Sequence, residues 1–220
     1  MSKTAALGVE VGMASGEMAL SSETRLGVAA EPSLVDGCRR GDPQAFARLV
    51  ALHEGMVLNL ALRLLGDPEE ARDLAQDVFL QVYRTLPRFE GRSSLRTWIY
   101  RIVVNQCRNR QRWWRRRRRS AACPLDEVTA AEEARLAEAT PTLSPFDRLA
   151  RAERARRVQA ALLRLSFEHR AILLLREVEG LTCDEIASTL ALPLGTVKSR
   201  LSRARDGLRR GLHEDAQERP

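Results

Sequence analysis

The sequence predicts an all-α protein of two small helical domains joined by a flexible linker, and three observations carry that expectation. Apolar residues recur at helical spacing in two separate stretches of the 220-residue chain, each long enough for a modest core. Aromatic residues make up only 5% and charged residues 30%, a balance that suits amphipathic helices better than sheets rich in β-branched and aromatic side chains. From Ser120 to Asp147 the composition turns to Ala, Pro, Thr and acids, with six carboxylates against the single basic Arg135.

The first domain is expected over 32–119. Asp42-Pro43 sets a capping side chain before a proline at the first helical position, and Phe46, Leu49, Val50, Val57, Leu60 and Leu64 follow at helical spacing to about Leu65. Gly66 stops that helix, and Asp67-Pro68 repeats the start signal for a second one with Ala71, Leu74, Ala75, Val78, Phe79 and Val82 on one face. Pro87, Gly91 and two serines break the chain between Leu86 and Ser94. A third amphipathic helix then turns Leu95, Trp98, Ile99, Ile102 and Val103 inward, and a short helix near Ser33 to Arg40 precedes all three.

The second domain is expected over 145–213, after a linker over 120–144. Ser144-Pro145 opens a helix that carries Leu149 to Leu165, and Ser166 caps the next, which bears Ile172, Leu173 and Leu175. Thr182-Cys-Asp-Glu185 is a capping box, in which the Thr hydroxyl and the Glu carboxylate each accept from the other's backbone N–H. It starts a short helix with Ile186, Ala187 and Leu190 inside. Leu192-Pro-Leu-Gly195 interrupts the chain, and a longer helix over Thr196 to Leu212 puts Val197, Leu201, Ala204 and Leu208 inside. Two helices joined in this way, with the small Ala187 at their crossing, have the layout of a helix-turn-helix. Residues 1–31 read as a flexible extension and 214–220 as a tail.

Composition narrows the function. A formal charge of +7 and a pI near 10.0 suit a polyanionic partner. Cys38, Cys107, Cys123 and Cys183 lie far apart, with no Cys-x-x-Cys pair and no histidine at ligand spacing, so no metal site, cofactor or disulfide framework is expected and the thiols suit a reducing cytoplasm. Uninterrupted apolar runs such as Ala171 to Leu175 fall far short of a membrane span, and no signal pattern opens the chain, so membrane insertion is not expected. His53 falls on an apolar face and reads as a core residue.

Two basic features stand out. On the last helix Lys198, Ser199, Arg200, Ser202, Arg203 and Arg205 point outward near the end that a recognition helix inserts into the major groove, where Arg and Lys pair with guanine edges and Ser bonds bases or phosphate. Arg108 to Arg119 packs eight arginines and the Trp113-Trp114 pair into twelve residues without one acid. No interior helix face can absorb that charge, whereas phosphate neutralisation and stacking on bases can use it. Two separate basic contacts imply a protein that touches DNA at two places.

The segments Asp73-Leu-Ala-Gln-Asp-Val-Phe79, Phe89-Glu-Gly-Arg-Ser-Ser-Leu-Arg-Thr-Trp-Ile-Tyr-Arg-Ile-Val-Val-Asn105 and Gly195-Thr-Val-Lys-Ser-Arg-Leu-Ser-Arg-Ala-Arg205 together resemble the extracytoplasmic-function (ECF) sigma factors, the smallest members of the sigma-70 class. The resemblance covers about residues 33–119 and 145–212. It implies a cytoplasmic transcription-initiation factor that is not an enzyme, with core RNA polymerase, promoter DNA and an anti-sigma protein as partners. Asp73, Gln76, Asp77 and Phe79 would meet the polymerase β′ clamp helices, and the second domain would meet the β flap. Phe89 and Asn105 would hold a flipped base of the minus-10 element, with Arg92, Trp98, Arg101, Arg108, Asn109 and Arg112 beside the strand. Trp98 belongs to the core first by its spacing. Thr196, Lys198, Ser199, Arg200, Ser202, Arg203 and Arg205 would read the minus-35 duplex, although some relatives carry an aromatic where this chain has Ser202. The acidic linker would thread toward the polymerase channel.

The rival reading is a stand-alone helix-turn-helix regulator whose first bundle is a sensor or dimerisation domain. Such a bundle has no reason to carry a second nucleic-acid surface. An enzyme is disfavoured because Asp73 and Asp77, though on one helix face, come with no nucleophile–base pair, phosphate loop or metal spacing.

Overall fold

The helix boundaries follow from local chemistry. The computed structural model describes residues 33–118 and 145–217, which are helical wherever they are regular. Residues 33–39 form α1. Helix α2, Pro43–Leu65, starts at Asp42, whose Oδ1 accepts from the Gln44 N–H at 2.8 Å, and ends at Gly66 with φ +78°. Helix α3, Pro68–Thr85, starts at Asp67, whose carboxylate accepts from the Glu70 N–H at 3.1 Å. One 3-10 turn, Leu86–Arg88, leads through an irregular stretch into α4, Leu95–Arg118. Calls for residues 1–31 and the linker 120–144 lie outside the described residues.

The second unit begins with α5, Pro145–Arg164, followed by α6, Phe167–Glu177, capped by Ser166. Helix α7, Cys183–Leu190, has the complete capping box: the Thr182 Oγ1 accepts from the Glu185 N–H at 3.2 Å, and the Glu185 carboxylate accepts from the Thr182 N–H at 2.7 Å. Helix α8 is Leu194–Gln217, so it starts two residues before Thr196 and runs past Leu212. The reason is that the turn is made by Ala191, in the left-handed region at φ +53°, while the Pro193 carbonyl already accepts from the Val197 N–H at 3.1 Å. Leu194 and Gly195, read as breakers, are the first helical residues.

Helices α2, α3 and α4 pack mutually around Leu49, Leu60, Leu64, Leu74, Val78, Val82, Ile99 and Val103, all at most 1% exposed. By length and composition α2 can also cross a membrane, with a mean hydropathy of 1.3 over its best window. Its apolar residues are interrupted rather than continuous, and the fully buried Leu49, Val57, Leu60 and Leu64 make it the central helix of this bundle. In the second unit α8 lies against α5, α6 and α7 through Val197, Leu201 and Ala204.

The two units are docked on each other. Arg170 on α6 is 4% exposed and donates to the Leu64 carbonyl at the end of α2, and to the Leu163 and Leu165 carbonyls at 2.9 and 3.2 Å. Gln159 on α5 donates to the Leu62 and Arg63 carbonyls at 3.3 and 3.4 Å. These atoms belong to the last turn of α2, where no intrahelical donor remains for most carbonyls. Gly66 completes the join, because a Cβ there would stand 2.6 Å from the Leu163 side chain.

Candidate nucleic-acid interface

The capping box and the Ala191 turn hold α7 against α8, leaving the outer face of α8 open. Lys198, Ser199, Ser202, Arg203 and Arg205 are exposed, and Thr196 and Arg200 are half-buried. Arg205 is not free: its Nε and Nη2 donate to Glu177 Oε1 at 2.9 and 2.5 Å. A basic groove beside it is lined by Arg176, Cys183, Lys198, Ser202, Arg205 and Arg209. Ser199 Oγ donates to the Thr196 carbonyl at 3.1 Å, which leaves its lone pairs outward.

On α3, Asp73, Gln76 and Asp77 are exposed as their spacing requires. Phe79 is 8% exposed inside the first bundle, so it packs that helix rather than offering a contact. Arg110, unremarked in the sequence beyond its arginine run, reaches from α4 to this acidic face, pairing with Glu70 and with Asp77 at 3.1 Å.

Phe89 follows the 3-10 turn, its ring 5.2 Å from that of Trp98 and its carbonyl accepting from Arg39 of α1. It lines a shallow pocket with Asp36, Arg39, Glu90, Ser93 and Ser94. Trp98 is half-buried against the core, as its spacing implied. Asn105 is exposed but stands outside that pocket, about three turns into α4. Arg92 pairs with Glu90 at 2.6 Å, and Asn109 and Arg112 are exposed. Trp113 is 47% exposed with the Arg117 guanidinium 4.8 Å above its ring, a stacking surface at the far end of the helix.

Other basic residues of α4 face the second unit. Arg101 Nη2 donates to the Ser188 carbonyl of α7 at 2.7 Å, and Arg108 sits 5.8 Å over the Phe167 ring. Arg96 Nε donates to Tyr100 Oη at 2.7 Å, and both groups meet Glu179, whose side chain is 7% exposed. Burial, and then the Glu179 carboxylate, push the Tyr100 phenol far above its ordinary range, so it remains a donor. Burial opposes the Arg96 charge, but Tyr100 and Glu179 more than offset it and raise its pKa. Burial pushes Arg170 down to about 10, which keeps it charged at neutral pH, and pushes the Cys107 thiol up to about 12. Among the described residues no cluster of His, Cys, Asp and Glu is placed to hold a metal.

Family profiles match this architecture: Sigma-70 region 2 over residues 49–120 and Sigma-70 region 4 over residues 155–207. The RNA polymerase sigma-H factor of Pseudomonas aeruginosa is 36% identical, over 83% of this chain and 93% of its own length. The chain belongs to the sigma-70 family of RNA polymerase sigma factors. Its ECF character is carried by relatives such as the ECF RNA polymerase sigma factor SigW of Bacillus subtilis, 30% identical over 80% of this chain and 93% of that one. The solved structure of CnrH in complex with the cytosolic domain of CnrY covers 84% of this sigma factor and 99% of CnrH, with a TM-score of 0.58 and 29% identity. In this sigma factor the region 2 match falls on α2–α4 and the region 4 match on α5–α8.

Proposed function

We propose that this sigma factor attaches to core RNA polymerase through Asp73, Gln76 and Asp77, reads the minus-35 duplex with the N-terminal half of α8, and holds the melted minus-10 strand along Phe89, Asn105 and the outer arginines of α4. The observation that carries the reading is the open, basic outer face of α8 behind an intact capping box. Lys198, Ser202 and Arg203 are the side chains with donors free to meet base edges. Region 4 contacts to the β flap, action in the cytoplasm and the lack of any catalysed reaction belong to the same proposal, supported by the family membership. CnrH was solved bound to the cytosolic domain of CnrY, and an anti-sigma protein is the partner proposed here by analogy.

Run-off transcription with purified core polymerase and a promoter carrying both elements tests the proposal. The expected result is initiation that requires both core and this chain, and that Asp73→Ala with Asp77→Ala weakens without weakening binding to a minus-35 duplex. Tight duplex binding without core, together with no initiation, would instead describe a stand-alone helix-turn-helix regulator.

A further inference from the structure

We propose that Trp113 is a second base-stacking site, where one unpaired base of the promoter strand lies on the indole while Asn105 and Asn109 meet its neighbours. The inference rests on the sigma reading above. It extends the strand-holding surface of α4 beyond Asn105, where the motif that resembles the family ends.

Asn105, Asn109, Trp113 and Arg117 recur at intervals of four along α4, so they form one row on the helix surface, and all four are exposed. The row carries two amides, an indole and a guanidinium, each of which can bond or stack on a base. The two tryptophans of α4 outside the half-buried Trp114 are used differently. Trp98 packs against the core and the Phe89 ring. Trp113 is 47% exposed, with the Arg117 guanidinium 4.8 Å from the centroid of its ring. An indole left half in water gives up much of the stabilisation that burial would supply. A cation beside it and open surface elsewhere suit it to a flat base whose phosphate the cation can meet. Arg112 and Arg116 are exposed close by, and the run from Arg108 to Arg119 holds no acid, so the local charge draws a phosphate backbone to this end of the helix.

The spacing sets a register. From Asn105 to Trp113 the helix rises about 12 Å. A strand advances about 3.4 Å per nucleotide when stacked as in a duplex. A base on Trp113 therefore lies within about four nucleotides of the one that Asn105 holds. Every base has a π-face, so this contact adds affinity without sequence preference, unlike the pocket at Phe89.

The test uses holoenzyme assembled from purified core polymerase and the full-length chain. The promoter of the run-off assay is presented as a forked duplex, unpaired over the minus-10 element, and the held strand is scanned with single abasic sites. With the wild type, one abasic site within about four nucleotides of the position that couples to Asn105→Ala should weaken binding about tenfold. Trp113→Leu, which keeps apolar bulk and helix propensity, should weaken binding to the intact strand by a similar factor and lose nothing more at that abasic site. Trp113→Phe should recover most of the loss, and changing the base at that position should alter binding less than twofold. In the wild type alone, 2-aminopurine at that position should lose fluorescence on binding, so the outcome does not depend on a variant folding. Losses from Trp113→Leu and the abasic sites that multiply at every position, or no fluorescence change within the window, overturn the stacking site. Run-off transcription separates the two claims. A wild type that does not initiate sinks the sigma reading and this site with it, whereas normal initiation with no coupled position sinks the site alone.

Discussion

Helices α4 and α8 are alike in the sequence and unlike in the fold. Each spans 24 residues, each turns an apolar stripe to its own bundle, and each is rich in arginine. On α8 the outward Lys198 and Arg203 face open space, whereas Arg205 pairs with Glu177 and Arg209 with Asp206. On α4 the cations divide three ways: Arg110 to the acids of α3, Arg96, Arg101 and Arg108 to region 4, and Arg112, Arg115, Arg116 and Arg117 to solvent. A basic helix therefore does not announce its partner. The neighbours of each guanidinium decide whether it is a DNA contact, a structural bond or both in turn.

The largest way to break the contrast is at Arg170, the buried cation of the join. Arg170→Leu leaves the Leu64, Leu163 and Leu165 carbonyls without their donor and should cost about 3 kcal/mol in urea unfolding, because buried bonds to a charged donor are expensive to lose. A loss below about 0.5 kcal/mol would mean that the join contributes nothing to folding. The open helix predicts the opposite pattern. Arg203→Ala should leave stability within about 0.5 kcal/mol and cost about 1 to 3 kcal/mol in binding a minus-35 duplex, with discrimination relaxed at one base pair. Equal weakening for every sequence would make Arg203 a phosphate contact.

A smaller effect belongs to the frame that presents α8. Thr182→Ala removes the hydroxyl of the capping box and should cost about 1 kcal/mol of region 4 stability, read from thermal unfolding. Because α7 backs the recognition helix, the variant should lower duplex affinity only through that loss.

What was legible in the sequence was local. Asp42-Pro43, Asp67-Pro68, Ser166 and the Thr182 box each act within one turn of their own helix, so the residues alone place the starts of α2, α3, α6 and α7. The start of α8 shifted because a left-handed Ala191 made the turn, a conformation few non-glycine residues adopt and no neighbouring residue signals. Phe79 was legible as core from its spacing, and only the family motif suggested a surface role. The docking of the two regions could not be read, since Arg96, Tyr100 and Gln159 fit a solvated helix face equally well. One clue was present: Ala171 to Leu175 is apolar all round its helix, which requires cover on more sides than one small bundle provides, and Arg170 heads that run.

The smallest expected effect lies at His53, on α2 beneath the start of α4. It is 8% exposed, and burial first, then the nearby Arg96 charge, lower its pKa from the ordinary value near 6.5. A lowered value means that the unfolded chain binds the proton more readily than the folded one, so stability is full above pH 6.5 and falls as pH drops below it. Between pH 7.5 and 5.5 the wild type should lose on the order of 0.5–1 kcal/mol more than His53→Leu, whose other titrating groups are shared. Parallel stability curves for the two proteins would show that neither the burial of His53 nor the Arg96 charge opposes its protonation in the folded chain.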